Sequence, residues 1–142
     1  MTKDSLQMVE YEIAWLVRLT TAHSPRLGSL DRSEYVMLTE IDENGHVAIN
    51  ELAEALMLNL STASRQVANP ERNNYINRFP DPSNGRISPV EITKEGREIL
   101  ERVQKVRNAF YAEILKEWSK EELVQLEENL SRLNRDFKKY GK

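Results

Sequence analysis

A chain of 142 residues matches one ordinary domain, with room for one core. It contains no cysteine, which excludes disulfide scaffolds, thiolate metal sites, Cys nucleophiles and thiol redox sensing. The net charge of −3 selects no partner, no run of about 18 apolar residues offers a membrane span, and the N-terminus MTKDSLQMVEYE lacks the pattern of a signal peptide, so a cytoplasmic protein is expected.

The first element is a helix over residues 6–20. Leu6, Val9, Ile13, Leu16 and Thr20 line one face, and Met8, Tyr11, Trp15 and Leu19 line another, so it must be buried on two sides. His23, Ser24, Pro25 and Gly28 break it. Asp31 and Glu34 form a capping-box pattern that opens a second helix through Tyr35, Leu38 and Ile41. Asp42, Glu43, Asn44 and Gly45 read as a turn and residues 46–49 as a short extended piece, with Asn50 as cap of the next helix. That helix, over residues 51–56, stops at Met57 to Leu60 in the stretch ELAEALMLNLSTASRQV, and Ser61 and Thr62 are N-cap candidates for its successor. The successor presents Ser61, Thr62, Ser64, Arg65 and Gln66, side chains able to bond base edges and phosphates. Residues 75–79 and 86–92 flank the turn-rich PDPSNG and read as a β-hairpin, with Pro89 suiting an edge strand because it cannot donate to a ladder. Thr93 caps a long helix with the stripe Ile99, Val103, Val106, Phe110, Ile114 and Trp118. Ser119 and Glu122 box the start of a last helix carrying Leu123, Leu126, Leu130, Leu133 and Phe137.

Helix-turn-helix followed by a hairpin is a winged helix. The fold expected is therefore mainly α with a small β-hairpin wing, an α+β winged helix-turn-helix. The outer helices carry more apolar surface than one small lobe can cover, which points to a homodimer. The division expected is an N-terminal dimerisation helix over 1–30, a DNA-binding lobe over 31–97 and C-terminal dimerisation helices over 98–142. Charge follows this division: residues 31–57 hold one base against seven acids, whereas residues 61–97 hold six bases against four acids. The sign reverses where the hydroxyl-rich helix begins, as on a surface that faces a polyanion.

In LDRSEYVML (30–38), NELAEAL (50–56), LSTASRQV (60–67), PDPSNGR (80–86) and ITKEG (92–96) the chain resembles the MarR family of bacterial and archaeal transcriptional regulators. The resemblance covers nearly the whole chain, and the family spacing from Ser61 through the wing to Thr93 and Gly96 is met without a gap. It implies a triangular homodimer with interlocked first and last helices, a recognition helix from each subunit in successive major grooves, and each wing reaching a minor groove. Carried over by position, Ser61, Thr62, Ser64, Arg65 and Gln66 form the major-groove face and Arg86 is the wing-tip arginine. Two positions depart from the family. Asn84 stands where an acidic residue usually orients the wing arginine, and Pro70 stands where an apolar helical residue is usual. The proline should end or kink the recognition helix near Ala68 or Asn69 and re-aim Arg72 and the wing relative to the groove.

The function expected is a homodimeric regulator, a repressor before an activator, on a pseudo-palindromic promoter site in double-stranded DNA and so associated with the nucleoid. Arg72, Arg78, Arg86 and Lys94 would dock on phosphates while the helix from Ser61 reads sequence. A small aromatic or anionic effector would release the DNA from a cavity near Trp15, Tyr35 and Met37, although such residues are more often core. The alternative is a winged-helix protein-interaction module that does not bind DNA. No cofactor is called for. His23 and His46 lack metal-ligand spacing, and Asp42, Glu43 and Asn44 lack the remaining positions of a calcium loop. No phosphate loop or nucleophile-base set supports an enzyme.

Overall fold

The computed structural model describes residues 4–79, 83 and 87–140. The helices are α1 (Ser5–Ala22), α2 (Arg32–Asn44), α3 (Ile49–Ala55), α4 (Leu60–Arg72), α5 (Lys94–Ile114) and α6 (Lys120–Lys139), with a 3-10 turn at Ser24–Leu27. The strands are β1 (Val47–Ala48), β2 (Ile76–Arg78) and β3 (Pro89–Ile92). This is the mainly helical winged helix-turn-helix that the pattern of the sequence implies.

Local capping chemistry sets most helix starts. The Asp4 carboxylate accepts from Gln7 N–H at α1, the Thr93 hydroxyl accepts from Gly96 N–H at α5, and both halves of the capping box form at Asp31–Glu34 and Ser119–Glu122. Three boundaries differ from the sequence reading. Residues 42–44 are not a turn but the last residues of α2, which ends on Gly45 at φ 73°. Asn50 is not a cap but lies inside α3, which begins at Ile49 because the Glu51 carboxylate reaches back to Ala48 N–H at 3.2 Å. At α4 neither Ser61 nor Thr62 is the cap. Asn59 is, and its Oδ1 accepts from Thr62 N–H at 2.8 Å and from the Ser61 hydroxyl at 2.9 Å.

The expected end of α4 at Ala68 or Asn69 is not found; one helix carries through Pro70 to Arg72. A proline there removes only the bond from its own nitrogen to the Gln66 carbonyl. The turn after it is intact, since Asn73 N–H donates to the Asn69 carbonyl at 3.1 Å and Tyr75 N–H to the Pro70 carbonyl at 2.9 Å. The ring is fully buried, so apolar burial offsets the lost bond.

The sheet has the order β1-β3-β2, all antiparallel, with Val47 opposite Val90 and Ile76 opposite Ile92. Pro89 is therefore on the central strand, not an edge. It is accommodated as the first residue of β3, where its carbonyl accepts from Phe79 N–H at 2.9 Å and no donation is asked of it.

One core unites the lobe: Met37, Leu38 and Ile41 from α2, Leu52 from α3, Ala63 and Val67 from α4, Val90 from β3, and Ile99, Leu100 and Val103 from α5. Gly96 lets the start of α5 approach β2, because a Cβ there would fall on the Tyr75 carbonyl. Outside this lobe packing is sparse. Neither α1 nor α6 has a single buried residue, and Val106, Ile114 and Trp118 on the far part of α5 and beyond it are exposed. Among the described residues no helix is long and apolar enough to cross a membrane.

Candidate nucleic-acid interface

The helix-turn-helix is α3, a tight turn and α4. Leu58 N–H donates to the Ala53 carbonyl at 2.8 Å to close the turn, and Met57 takes the left-handed conformation with φ 55°. Leu56, Leu58 and Leu60 pack against the core on either side of it. They fix the angle at which α4 leaves the lobe.

Helical periodicity then sorts the side chains of α4. Ala63, Val67 and Pro70 point inward and are buried. At 100° per residue, the opposite stripe carries Ser61, Arg65, Asn69 and Arg72, all exposed. Thr62 and Gln66 flank it on one side and Ser64 on the other, each half-buried. The expected reading residues thus share one outward face and its margins. Its start is marked by two hydroxyls, and Arg72 closes it.

The basic residues after this face are less uniform. Arg72 Nη2 donates to Asn69 Oδ1 at 3.1 Å, on the exposed side. Arg78 on β2 is mostly buried, with its Nη2 3.6 Å from Glu71 Oε1 and no partner for its Nε among the described residues. Its guanidinium faces the carboxylate at the end of α4 rather than standing free. Lys94 is exposed at the start of α5. Thr93 next to it donates through its hydroxyl to the Asn74 carbonyl at 2.7 Å and through N–H to the Tyr75 carbonyl at 2.9 Å, so Lys94 emerges beside the C-terminus of α4. Asn84 and Arg86 lie outside the described residues.

At the base of the hairpin, His46 Nε2 lies 3.0 Å from Glu91 Oε2, and Phe79 meets the imidazole edge-on at 5.7 Å between centroids. These contacts fasten β1, β2 and β3 together on the exposed side. The sequence marked His46 only as lacking metal partners. Among the described residues no group of three or more His, Cys, Asp or Glu could hold a metal ion.

The three residues expected around an effector do not border one cavity within this chain. Met37 is in the core and touches a small cavity of about 200 Å³ together with Asp31, Ser33, Glu34, Gln66 and Asn69. Tyr35 lines a separate open groove of about 800 Å³ with Glu101, Gln104, Lys105, Arg107, Asn108 and Tyr111. The Arg107 guanidinium lies over the Tyr35 ring, 4.1 Å from its centroid. Trp15 is exposed on α1, edge-on to Tyr11.

Sequence reasoning missed Asn69 as a member of the outward face. Its place four residues after Arg65 and three before Arg72 was the available signal, obscured by its position before Pro70.

The model of the MarR family matches residues 30–88, which span α2 to the approach to β3. The chain is 39% identical over 138 residues to the HTH-type transcriptional regulator YxaD of Bacillus subtilis (strain 168), a match covering 95% of this chain and 96% of that one. Its fold is that of a MarR family protein from Bacillus stearothermophilus, with a TM-score of 0.77, 22% identity, and 98% and 99% of the two chains covered. Streptococcus pneumoniae FabT in complex with DNA aligns with a TM-score of 0.71 and 23% identity over 94% of this chain and 97% of that one. With the helix-turn-helix and the first strand of its hairpin matched by the family model, and a regulator matched along nearly its whole length, this chain belongs to the MarR family.

Proposed function

We propose that the protein is a homodimeric, DNA-binding repressor that occupies a pseudo-palindromic promoter site. The observation that carries this reading is the division of α4. Its inward residues anchor it in the core, while Ser61, Arg65 and Arg72 stand together on the exposed side. A helix held in this way can enter a major groove with hydroxyls and guanidinium groups foremost. Repression needs no further device, since a dimer seated across a promoter excludes polymerase from it.

The second subunit is supported by the bare helices. Leu6, Trp15 and Leu16 on α1 and Leu130 and Phe137 on α6 are exposed in one chain, a quantity of apolar surface that a second copy would cover. Release by an effector is supported by the groove at Tyr35. Tyr111 and Lys105 offer a ring and a positive charge beside the stacked Arg107 and Tyr35, which suits an aromatic acid.

The test is selection of duplexes from a random-sequence pool by the intact protein. An inverted repeat should be enriched, and Arg65→Ala should weaken binding to it by about 1–3 kcal/mol and relax preference at one position in each half. Enrichment of no sequence, with no salt-dependent binding to any duplex, would leave the interaction-module reading in its place. That rival draws on the acidic balance of the chain and on the pairing of Arg78 with Glu71.

A further inference from the structure

Asn69 makes two bonds from one carboxamide. Its Nδ2 donates to Glu34 Oε2 at 3.1 Å, and its Oδ1 accepts from Arg72 Nη2 at 3.1 Å. Glu34 is itself fixed, because its Oε1 accepts from Asp31 N–H at 3.4 Å and its own N–H donates to the Asp31 carboxylate at 2.8 Å. The start of α2 is thereby joined to the last turn of α4 through a single side chain.

We propose that Asn69 is a positioning residue for DNA binding, one that aims the Arg72 guanidinium at a backbone phosphate and ties the end of α4 to α2. The inference rests on the DNA-binding reading above. The chemistry of the two partners leaves little choice of side chain. Ionised Glu34 only accepts and Arg72 only donates, so the residue between them must donate on one side and accept on the other. A carboxamide does both, and the partners fix which way round it lies. An aspartate would set carboxylate against carboxylate at Glu34 and would hold Arg72 as an ion pair. The neutral Oδ1 orients the guanidinium while leaving its charge for a phosphate. Arg78 shows the contrast, since its partner Glu71 carries the opposite charge.

The shared core joins α2 and α4 further along, but not at the start of α2. The small cavity bordered by Glu34, Met37, Gln66 and Asn69 lies where α2 and α4 part, and the polar bridge crosses beside it. An arginine held in advance has fewer rotamers to give up when it meets its phosphate. Arg72 lies at the end of the stripe that begins with Ser61, so a phosphate held there adds affinity without itself reading a base.

The experiment measures binding of the intact protein, Asn69→Ala, Arg72→Ala and the double variant to two duplexes across a salt series. One duplex is enriched by the unmodified protein from a random pool, and the other is of mixed sequence. Asn69→Ala should bind several-fold more weakly to both duplexes. Its slope of log K against log salt should shrink toward that of Arg72→Ala, by up to about 0.9 per subunit. The ratio between the two duplexes should stay the same, and the double variant should bind no more weakly than Arg72→Ala alone. A merely structural role would lower the melting temperature of Asn69→Ala and leave its salt slope intact. That outcome overturns the proposal, as does a full slope in Arg72→Ala, and in both cases DNA binding itself stands. Failure of the unmodified protein to bind either duplex at low salt overturns the DNA-binding reading, and this inference falls with it.

Discussion

Met57 occupies the tightest point of the helix-turn-helix in a left-handed conformation, with φ 55°, although its side chain is 53% exposed and packs little. The left-handed region costs an ordinary residue about 1–2 kcal/mol, while glycine adopts it freely at an entropic cost of about 0.5–1 kcal/mol. Met57→Gly should therefore raise stability by about 0.5–1 kcal/mol in urea unfolding. A loss of that size would show that the thioether makes contacts that outweigh the strain. Among the described residues Asn74, at φ 64°, is the other non-glycine in this region, and there a short polar side chain tolerates it. Single residues were the least legible part of the sequence. Nothing around Met57 announces a positive φ, and the ion pair of Arg78 with Glu71 depends on how β2 passes α4. The stripe of Ser61 and Arg65 was legible because it lies within one helix and needs only its period.

At the scale of elements, whatever is decided within four residues could be read from the sequence. The Asp31–Glu34 and Ser119–Glu122 boxes and the Thr93 cap form as expected. The start of α4 was misjudged by two residues because Asn59, Ser61 and Thr62 are all able caps. Packing of Leu58 and Leu60 on the core chooses between them. Pro89 was misjudged because an edge strand is a property of the sheet, and β1, some forty residues earlier in the chain, supplies the second neighbour. Pro70 raised the same difficulty. A proline in a helix interior costs about 3 kcal/mol, but burying the ring offsets much of that here. Pro70→Ala regains the bond to the Gln66 carbonyl and loses the apolar contacts, so its unfolding free energy should stay within about 1 kcal/mol of the parent. A gain near the full penalty would mean that the proline strains α4 after all.

For the whole molecule, the lobe has its own core while α1, α6 and the far half of α5 lack one. A second subunit covering those faces would make folding and association one process. The melting temperature should then rise with protein concentration, and sedimentation should give twice the 16.5 kDa of the chain. Leu16→Asp and Phe137→Asp should each shift the species toward monomer; a stable monomer at micromolar concentration in the parent would remove the basis for a symmetric site. Half-sites should lie about one helical turn, or roughly 34 Å, apart. The two bonds of Thr93 to the segment after α4 give this geometry a mechanical meaning. With its 21 residues α5 is a lever about 30 Å long, fastened at its near end to the segment that follows α4. Were a second subunit to hold its far end, a tilt of about 5° about that end would displace the end beside α4 by roughly 3 Å, about the length of a hydrogen bond. In the dimer proposed above, grip on DNA would then follow an angle between subunits, and a small wedge placed far from the groove would loosen it without touching a single base.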